Sequence, residues 1–289
     1  MTPFQFSTVQ ELVEKASYEG TTISQIVAQW EVETSNLSRE KIFEKMSNNW
    51  KVMKKSIEEG LQKEGQTMGG LVNKAAAHMY NAILTGIVPQ DRLSKTIYKA
   101  LAVAEFNASM GCIVAAPTGG SCGIIPAVLS TAQEEYNFND EQIVWSLFTA
   151  AGIGLVIAEK ASVSGAEGGC QAECGSAAAM AAAALVELLG GPPQKVATAA
   201  ALALKNALGL VCDPVGGLVE VPCIKRNSFL AVNSLVAADL AMAGIPSLIP
   251  IDEVITAMGE IGRALPESLR ERAQGGLAAT PTGKKYKNE

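Results

Sequence analysis

The sequence predicts an all-α protein, and three of its features lead to this fold class. Apolar residues recur every three or four positions in several long segments, which is the period of an α-helix. No segment alternates apolar and polar residues for long, and no Asn-Gly turn joins two strand-like runs. Hydrophobic residues make up 48% of the chain and aromatic residues only 5%. A core of small side chains in close helix contacts is therefore expected, rather than the aromatic and β-branched core of a β-sandwich.

The individual helices follow from capping signals and apolar stripes. The capping box Ser7-Thr8-Val9-Gln10 opens the first predicted helix, and one apolar stripe predicts a long helix over about 38–62. Asp91 and Asp140 are placed to cap two further helices. Others are predicted at about 171–189, 193–208, 227–243 and 252–263.

The charge distribution predicts one large helical domain over residues 1–274, with peripheral helices in 1–37. Residues 1–66 carry 18 charged side chains, whereas the much longer segment 106–251 carries only 16. A long segment with few charges is expected to be buried. Residues 275–289 are rich in Gly, Thr and Lys and are predicted to form a flexible tail.

The overall charge and the apolar runs exclude several classes of partner. With 23 basic and 29 acidic side chains, the chain lacks the basic surface that nucleic-acid binding requires. The amino terminus shows no signal peptide, and no apolar run reaches the roughly 18 residues of a membrane span. A cytoplasmic protein that binds neither nucleic acid nor membrane is expected.

Three glycine-rich segments interrupt the helical pattern, at 111–123, 164–175 and 209–224, and all six cysteines lie in or beside them. Such loops can bring Cys170, Cys212 and Cys223 together near backbone N–H groups. Buried free cysteines remain an alternative. Zinc is less favoured, because there is no CxxC pair and a single histidine, His78. Three thiolates without an obvious fourth ligand suit an iron–sulfur cluster with one open iron, as Lewis-acid catalysis requires.

The turn formed by Thr118, Gly119, Gly120 and Ser121 opens another predicted helix. Its N–H groups and the helix dipole would bind an anion such as a carboxylate. The turn has neither a P-loop lysine nor the GxGxxG spacing, which disfavours a nucleotide. An ordinary glycine turn remains the alternative.

Around these loops the sequence resembles the alpha chain of the iron–sulfur-dependent L-serine dehydratases (L-serine ammonia-lyases) of bacteria. The resemblance extends from about residue 40 to 265. The stretches that carry it are NASMG at 107–111, APT at 116–118, GIIPA at 123–127, SGAEGGCQ at 164–171, GLVCDPVGGLV at 209–219 and VPCIKRN at 221–227.

The resemblance implies a cofactor and a reaction. A [4Fe-4S] cluster would be held by Cys170, Cys212 and Cys223, with the other three cysteines outside the ligand set. The fourth iron would bind the hydroxyl of L-serine while a base removes the α-proton. Water is then lost, and pyruvate and ammonia result without pyridoxal phosphate. The Thr118–Ser121 turn would hold the substrate carboxylate.

Two residues are candidates for the base. His78 has an ordinary pKa suited to proton transfer, and Glu167 lies three residues before Cys170. A structural histidine and a structural carboxylate are the alternatives to these roles.

The sequence also differs from the single-chain members of this family. Single-chain members carry an additional amino-terminal domain with a Ser-Ser-His-Thr motif and a carboxy-terminal cysteine, and this sequence shows neither. A two-chain enzyme is therefore implied, with a separate beta chain that completes the pocket and is a further source of the base. Two other functions stay open: a related β-eliminase such as an L-cysteine desulfidase, and a non-catalytic iron–sulfur or structural protein.

Overall fold

The computed structural model describes residues 4–286 and confirms the all-α prediction. Between Phe4 and Tyr286 there is no β-strand, and isolated bridges join only Gln66 to Asn73 and Cys212 to Arg270. The helices are α1 Val9–Tyr18, α2 Ile23–Ser35, α3 Arg39–Gln62, α4 Ala75–Leu84, α5 Arg92–Ala108, α6 Ile124–Tyr136, α7 Asp140–Lys160, α8 Gly165–Gly168, α9 Ser176–Leu188, α10 Pro193–Lys205, α11 Cys223–Met242 and α12 Ile251–Ala264.

Helix α9 forms the centre of the protein. Every residue from Ser176 to Val186 is buried, and α6, α7, α10 and α11 pack around it. Most of these buried residues are alanine, the best helix former and the smallest side chain that keeps a Cβ. A helix that is apolar on all sides belongs in a core, and the small side chains allow its four neighbours to approach closely.

The first two helices pack into this core. Their buried residues, among them Leu12 and Ile26, belong to the same hydrophobic cluster as α9. The carboxylate of Asp252, in the first turn of α12, accepts hydrogen bonds from the N–H groups of Val9 and Gln10, both at 2.9 Å. These bonds satisfy two donors that the first turn of a helix leaves without intrahelical partners.

Several predicted boundaries differ from the structure for identifiable reasons. Asn139, and not Asp140, is the cap of α7. The Asp140 carboxylate instead accepts hydrogen bonds from Lys54 and Trp50. The helix predicted at 171–189 begins as a π-turn over Gln171–Gly175 before α9 starts. Helix α11 begins at Cys223, four residues before the predicted start.

One helix within residues 4–286 has the length and composition of a membrane span. It is α7, and 67% of its most apolar window is buried inside the protein. Burial on this scale is expected of a core helix, so the feature is weak support for a membrane segment. The cytoplasmic location stays a prediction.

The segment predicted to be a flexible tail lies against the rest of the chain as far as Tyr286. Residues 276–279 and 283–286 form single 3₁₀ turns. The N–H of Leu277 donates to the Asp213 carboxylate at 2.7 Å, and Ala278 is buried. The last part of the predicted tail, 287–289, lies outside the described residues.

Gly60 allows α3 and α5 to touch, and Gly60→Ala is expected to separate them. A Cβ at this position would come closer to the Ala102 carbonyl oxygen than real Cβ atoms approach. The clash is with backbone, so no side-chain rotation relieves it. The free energy of unfolding should fall by about 1–3 kcal/mol, although alanine is the better helix former. Denaturant unfolding measures this change. Asn49→Ala, at an exposed position of the same helix, is the control and should not lower stability.

Candidate metal and substrate site

The amino ends of three core helices meet at the glycine-rich segments. The turn Gly119–Ser121 leads to α6, the π-turn Gln171–Gly175 leads to α9, and Cys223 is the first residue of α11. The two turns contact each other, and α11 contacts both. The amino end of a helix carries partial positive charge and unpaired N–H groups. A convergence of three such ends therefore favours a negatively charged group.

Asn227, on the first turns of α11, ties the first loop to the third. Its side-chain amide donates to the carbonyl of Gly120 at 2.8 Å and accepts from the N–H of Gly123 at 2.9 Å. Asn227 is buried, so both ends of its amide need partners. These bonds fix the Thr118–Ser121 turn relative to Cys223.

Gln171 ties the second loop to the third in the same way. Its side chain accepts from the N–H of Gly209 at 2.9 Å and donates to the carbonyls of Gly168 and Met258. Its backbone N–H donates to the carbonyl of Leu210 at 3.1 Å. This fully buried glutamine therefore holds the segments of Cys170 and Cys212 beside each other and against α12.

The thiols of Cys170, Cys212 and Cys223 are buried, with 2%, 3% and 9% of their residue surfaces exposed. Together with burial, the charge of Cys170 raises the pKa of both other thiols. Burial, and then the charge of Cys170, raises the pKa of Cys223 to about 12. Burial also raises the pKa of Cys212 strongly. A hydrogen bond with Cys174, opposed by burial and helped by the charge of Arg226, lowers the pKa of Cys170.

Glu173 is the carboxylate that the structure places among these groups. Thr118 Oγ1 donates to its Oε1 at 2.8 Å, and Cys212 Sγ lies 4.0 Å from its Oε2. A Cβ at Gly120 would lie 3.0 Å from Oε1, and one at Gly165 would lie 2.7 Å from Oε2. These two glycines therefore leave room for the carboxylate. Burial raises the pKa of Glu173, against the effect of the Thr118 hydrogen bond.

Two backbone N–H groups of the Thr118–Ser121 turn have no hydrogen-bond acceptor among the described residues. The N–H of Ser121 donates to the carbonyl of Thr118, and that of Cys122 donates to Gly119. The N–H groups of Gly119 and Gly120 form no hydrogen bond with another described residue. Two neighbouring free donors at the start of a helix can bind one carboxylate.

The chain is similar to known proteins over nearly its whole length. A family model described as "Serine dehydratase alpha chain" matches residues 18–278. The chain belongs to the serine dehydratase alpha chain family. It is 48% identical over 288 residues to a probable L-serine dehydratase alpha chain of Bacillus subtilis, covering 98% of this chain and 95% of that protein. It is 44% identical over 284 residues to the L-serine dehydratase alpha chain of Peptoniphilus asaccharolyticus, covering 98% and 97% of the two chains.

Longer members of the serine dehydratase family match over part of their length. L-serine dehydratase TdcG of Escherichia coli is 39% identical over 283 residues, which are 96% of this chain but only 62% of that protein. The alpha chain therefore corresponds to a little under two thirds of the longer enzyme.

The two residues predicted as catalytic lie outside the group of thiols. His78 is exposed on α4, a helix that packs against α3 and α5. Glu167 is exposed on α8, and its Oε2 accepts a hydrogen bond from Ser162 at 2.6 Å. Their catalytic roles stay predictions, and the structure brings Glu173 to the thiols instead. Sequence analysis missed Glu173, although it is the one charged residue between Gly168 and Glu187.

The remaining cysteines of the chain differ among themselves. Cys112 is exposed. Burial raises the pKa of Cys122 to about 12, as expected of an inert core thiol. Cys174 is buried beside Cys170, and its thiol points to the carbonyl of Gly120 at 3.8 Å.

Three buried thiols are donors of the kind that iron–sulfur clusters use. Among the side chains of residues 4–286, no three His, Cys, Asp or Glu residues converge on a point where one ion could bind. A zinc ion requires such convergence at about 2.3 Å. In a four-iron cluster each thiolate binds a different iron, so the sulfurs surround the group from separate directions. The three thiols come from two of the glycine-rich segments, Cys170 from the second and Cys212 and Cys223 from opposite ends of the third. A bound metal would supply the positive charge that holds thiolates of raised pKa.

Proposed function

We propose that this chain, with a separate beta chain, catalyses the β-elimination of water from L-serine to give pyruvate and ammonia. One observation carries the proposal: in a member of the serine dehydratase alpha chain family, three buried thiols and a partly buried carboxylate lie beside a turn with two free N–H groups, near the amino ends of three helices. The relatives from Peptoniphilus asaccharolyticus and Escherichia coli that bear the name L-serine dehydratase support the same reaction.

Cys170, Cys212 and Cys223 would hold a [4Fe-4S] cluster. When bound, a cluster with one iron left unligated by protein supplies a Lewis acid that makes a hydroxyl a better leaving group. The helix amino ends around the thiols favour the negative charge of such a group.

The chain's own residues would bind the substrate and move a proton. The N–H groups of Gly119 and Gly120, with the Thr118 and Ser121 side chains framing the turn, would hold the carboxylate of serine. Glu173 would exchange the proton, because a partly buried carboxylate of raised pKa is a suitable general base near neutral pH. Thr118 holds Oε1 of that carboxylate, which leaves Oε2 on the side of Cys212.

A separate beta chain would complete the pocket. The longer Escherichia coli relative includes more than a third of its length beyond the part that this chain matches. In a two-chain enzyme that additional part would be a second polypeptide. The beta chain is the second possible source of a catalytic base.

Two alternative functions make different predictions. An L-cysteine desulfidase would use the same thiols but release sulfide from L-cysteine. A non-catalytic iron–sulfur protein would bind a fully ligated cluster that L-serine does not perturb. The two free N–H groups beside the thiols favour a site for a carboxylate-bearing substrate over the non-catalytic alternative.

Anaerobic reconstitution with iron and sulfide tests the proposal. The electron paramagnetic resonance signal of the reduced cluster should change on addition of L-serine, and pyruvate should form when the beta chain is present. L-cysteine is the comparison substrate. The proposal is contradicted if L-serine does not change the cluster signal with both chains present. It is also contradicted if the enzyme releases sulfide from L-cysteine but forms no pyruvate from L-serine.

A further inference from the structure

A cavity of about 340 Å³ lies behind the segment that carries Cys170. Gly168 and Ala172, on either side of that cysteine, form part of its wall. The other residues used below are Ser162, which follows α7, Glu167 on α8, Arg263 near the end of α12, and Arg270. The cavity is thus distinct from the Thr118–Ser121 turn, which belongs to another loop.

Two arginines in this cavity lack protein partners. The side chains of Arg263 and Arg270 form no hydrogen bond or ion pair with another described residue. Nε of Arg270 is buried without a partner, and a buried unsatisfied donor costs free energy. Arg263 alone has an ordinary explanation, since a basic residue in the last turn of a helix faces its negative end. Two unpaired guanidinium groups in one cavity match the bidentate recognition of a carboxylate.

The opposite charge comes from other elements of the cavity. Glu167 bonds to Ser162 through Oε2, which leaves Oε1 free. Ala161, another wall residue, is the carboxy-terminal cap of α7, and the carboxy end of a helix favours a cation. The cavity therefore presents guanidinium groups from the α12 side and negative charge from the α7–α8 side. A small zwitterion with a carboxylate and an ammonium group complements this arrangement.

We propose that this cavity is a second binding site for a small α-amino acid, of the size of L-serine. Arg263 and Arg270 would bind its carboxylate, and Glu167 with the end of α7 would bind its ammonium group. The site is not where the reaction is proposed to occur, since the backbone of 168–172 separates it from the thiols.

Calorimetric titration of the full chain without its iron–sulfur cluster tests this site, because no turnover then occurs. L-serine is expected to bind, pyruvate to bind more weakly for want of an ammonium group, and ethanolamine not to bind for want of a carboxylate. Arg263→Gln and Arg270→Gln should each weaken L-serine binding at least about 10-fold, the effect of removing a charge-assisted hydrogen bond. Glu167→Gln should weaken L-serine binding but not pyruvate binding.

Two control variants separate this site from the proposed active site. Arg272→Gln removes a neighbouring exposed arginine that pairs with Glu267, and L-serine binding should be unchanged. Thr118→Ala alters the predicted substrate turn and should leave binding in the cavity intact. If both cavity arginine variants bind L-serine like the wild type, or the wild type binds neither L-serine nor pyruvate, the inference is wrong.

A second titration series includes the beta chain. If its addition abolishes L-serine binding, and Arg270→Gln weakens association of the two chains, the arginines bind an acidic group of the partner and the inference is overturned. Binding to the cluster-free chain does not depend on the proposed reaction. Loss of pyruvate formation in the reconstituted enzyme with L-serine binding intact would therefore reject the function and not the site.

Discussion

Replacing Cys170, Cys212 or Cys223 by alanine, one at a time, is expected to abolish both cluster assembly and pyruvate formation. Each of the three thiols is buried. The exposed cysteine, Cys112, lies in a different glycine-rich segment from all three, so it is not placed to substitute for a lost ligand. Removing a residue that only hydrogen-bonds to a metal ligand costs up to about 100-fold in activity. Removing a ligand itself should cost more than that. Iron and sulfide content after anaerobic reconstitution measures cluster assembly, and pyruvate formation with the beta chain measures activity.

The other cysteines provide matched controls for this series. Cys112→Ala removes an exposed thiol, and Cys122→Ala removes a buried one that packs with Ile57 of α3 and Val103 of α5. Both should retain iron, sulfide and activity, although Cys122→Ala is expected to lower stability because it leaves a small cavity. A full complement of iron in Cys212→Ala would contradict the assignment of Cys212 as a cluster ligand. Cys174→Ala tests the neighbour of Cys170 and should retain the cluster.

The sequence predicted the fold well where the helical signal was local. The stripe of α3, the Asp91 cap of α5 and the alanine-rich α9 each depend on residues within a few turns of one another. Boundaries failed where tertiary contacts decided them. Asp140 was predicted as a cap from local spacing, but Lys54 and Trp50 of another helix engage its carboxylate, and the adjacent Asn139 caps the helix.

The candidate site was predictable in its loops but not in its side-chain arrangement. Glycine content and cysteine positions marked the three segments, because both are properties of the sequence itself. Glu173 could not be placed, since its position depends on the π-turn Gln171–Gly175, which shifts the register of the helix that follows. Glu167 lies within the stretch SGAEGGCQ that carries the family resemblance, whereas Glu173 lies after it. The α8 turn nevertheless directs the Glu167 carboxylate to Ser162.

Glu173→Gln is expected to reduce kcat strongly while leaving the fold and the iron–sulfur cluster in place. Glutamine has nearly the same shape and can still accept the Thr118 hydrogen bond, but it cannot take up a proton. Removing a general base costs on the order of 100- to 10,000-fold. Steady-state kinetics with L-serine would show the loss mainly in kcat, and reconstituted iron content should match that of the wild type.

Glu187→Gln is the matched control, because Glu187 is another partly buried carboxylate whose pKa is raised by desolvation. Its oxygens accept hydrogen bonds from Thr149 and from the N–H of Ser24. Neither partner belongs to a glycine-rich segment. This change is expected to affect stability and not kcat. Glu167→Gln tests the other candidate base, the exposed carboxylate that sequence analysis predicted, and its kcat is compared with that of Glu173→Gln. If Glu167→Gln loses as much kcat as Glu173→Gln, the proton-transfer role of Glu173 is not supported.

The pH dependence of stability gives a second readout for Glu173 that does not involve catalysis. Because burial raises its pKa in the folded chain, the folded state binds more protons than the unfolded state between the ordinary glutamate pKa and the raised one. Stability of the cluster-free chain should therefore fall as the pH rises through this window. Glu173→Gln removes this contribution, so the variant should lose less stability than the wild type over the same pH range. Denaturant unfolding at a series of pH values measures the difference. An identical pH dependence in the two chains would show that Glu173 titrates as an ordinary exposed carboxyl, which would remove the electrostatic basis for its role as a base.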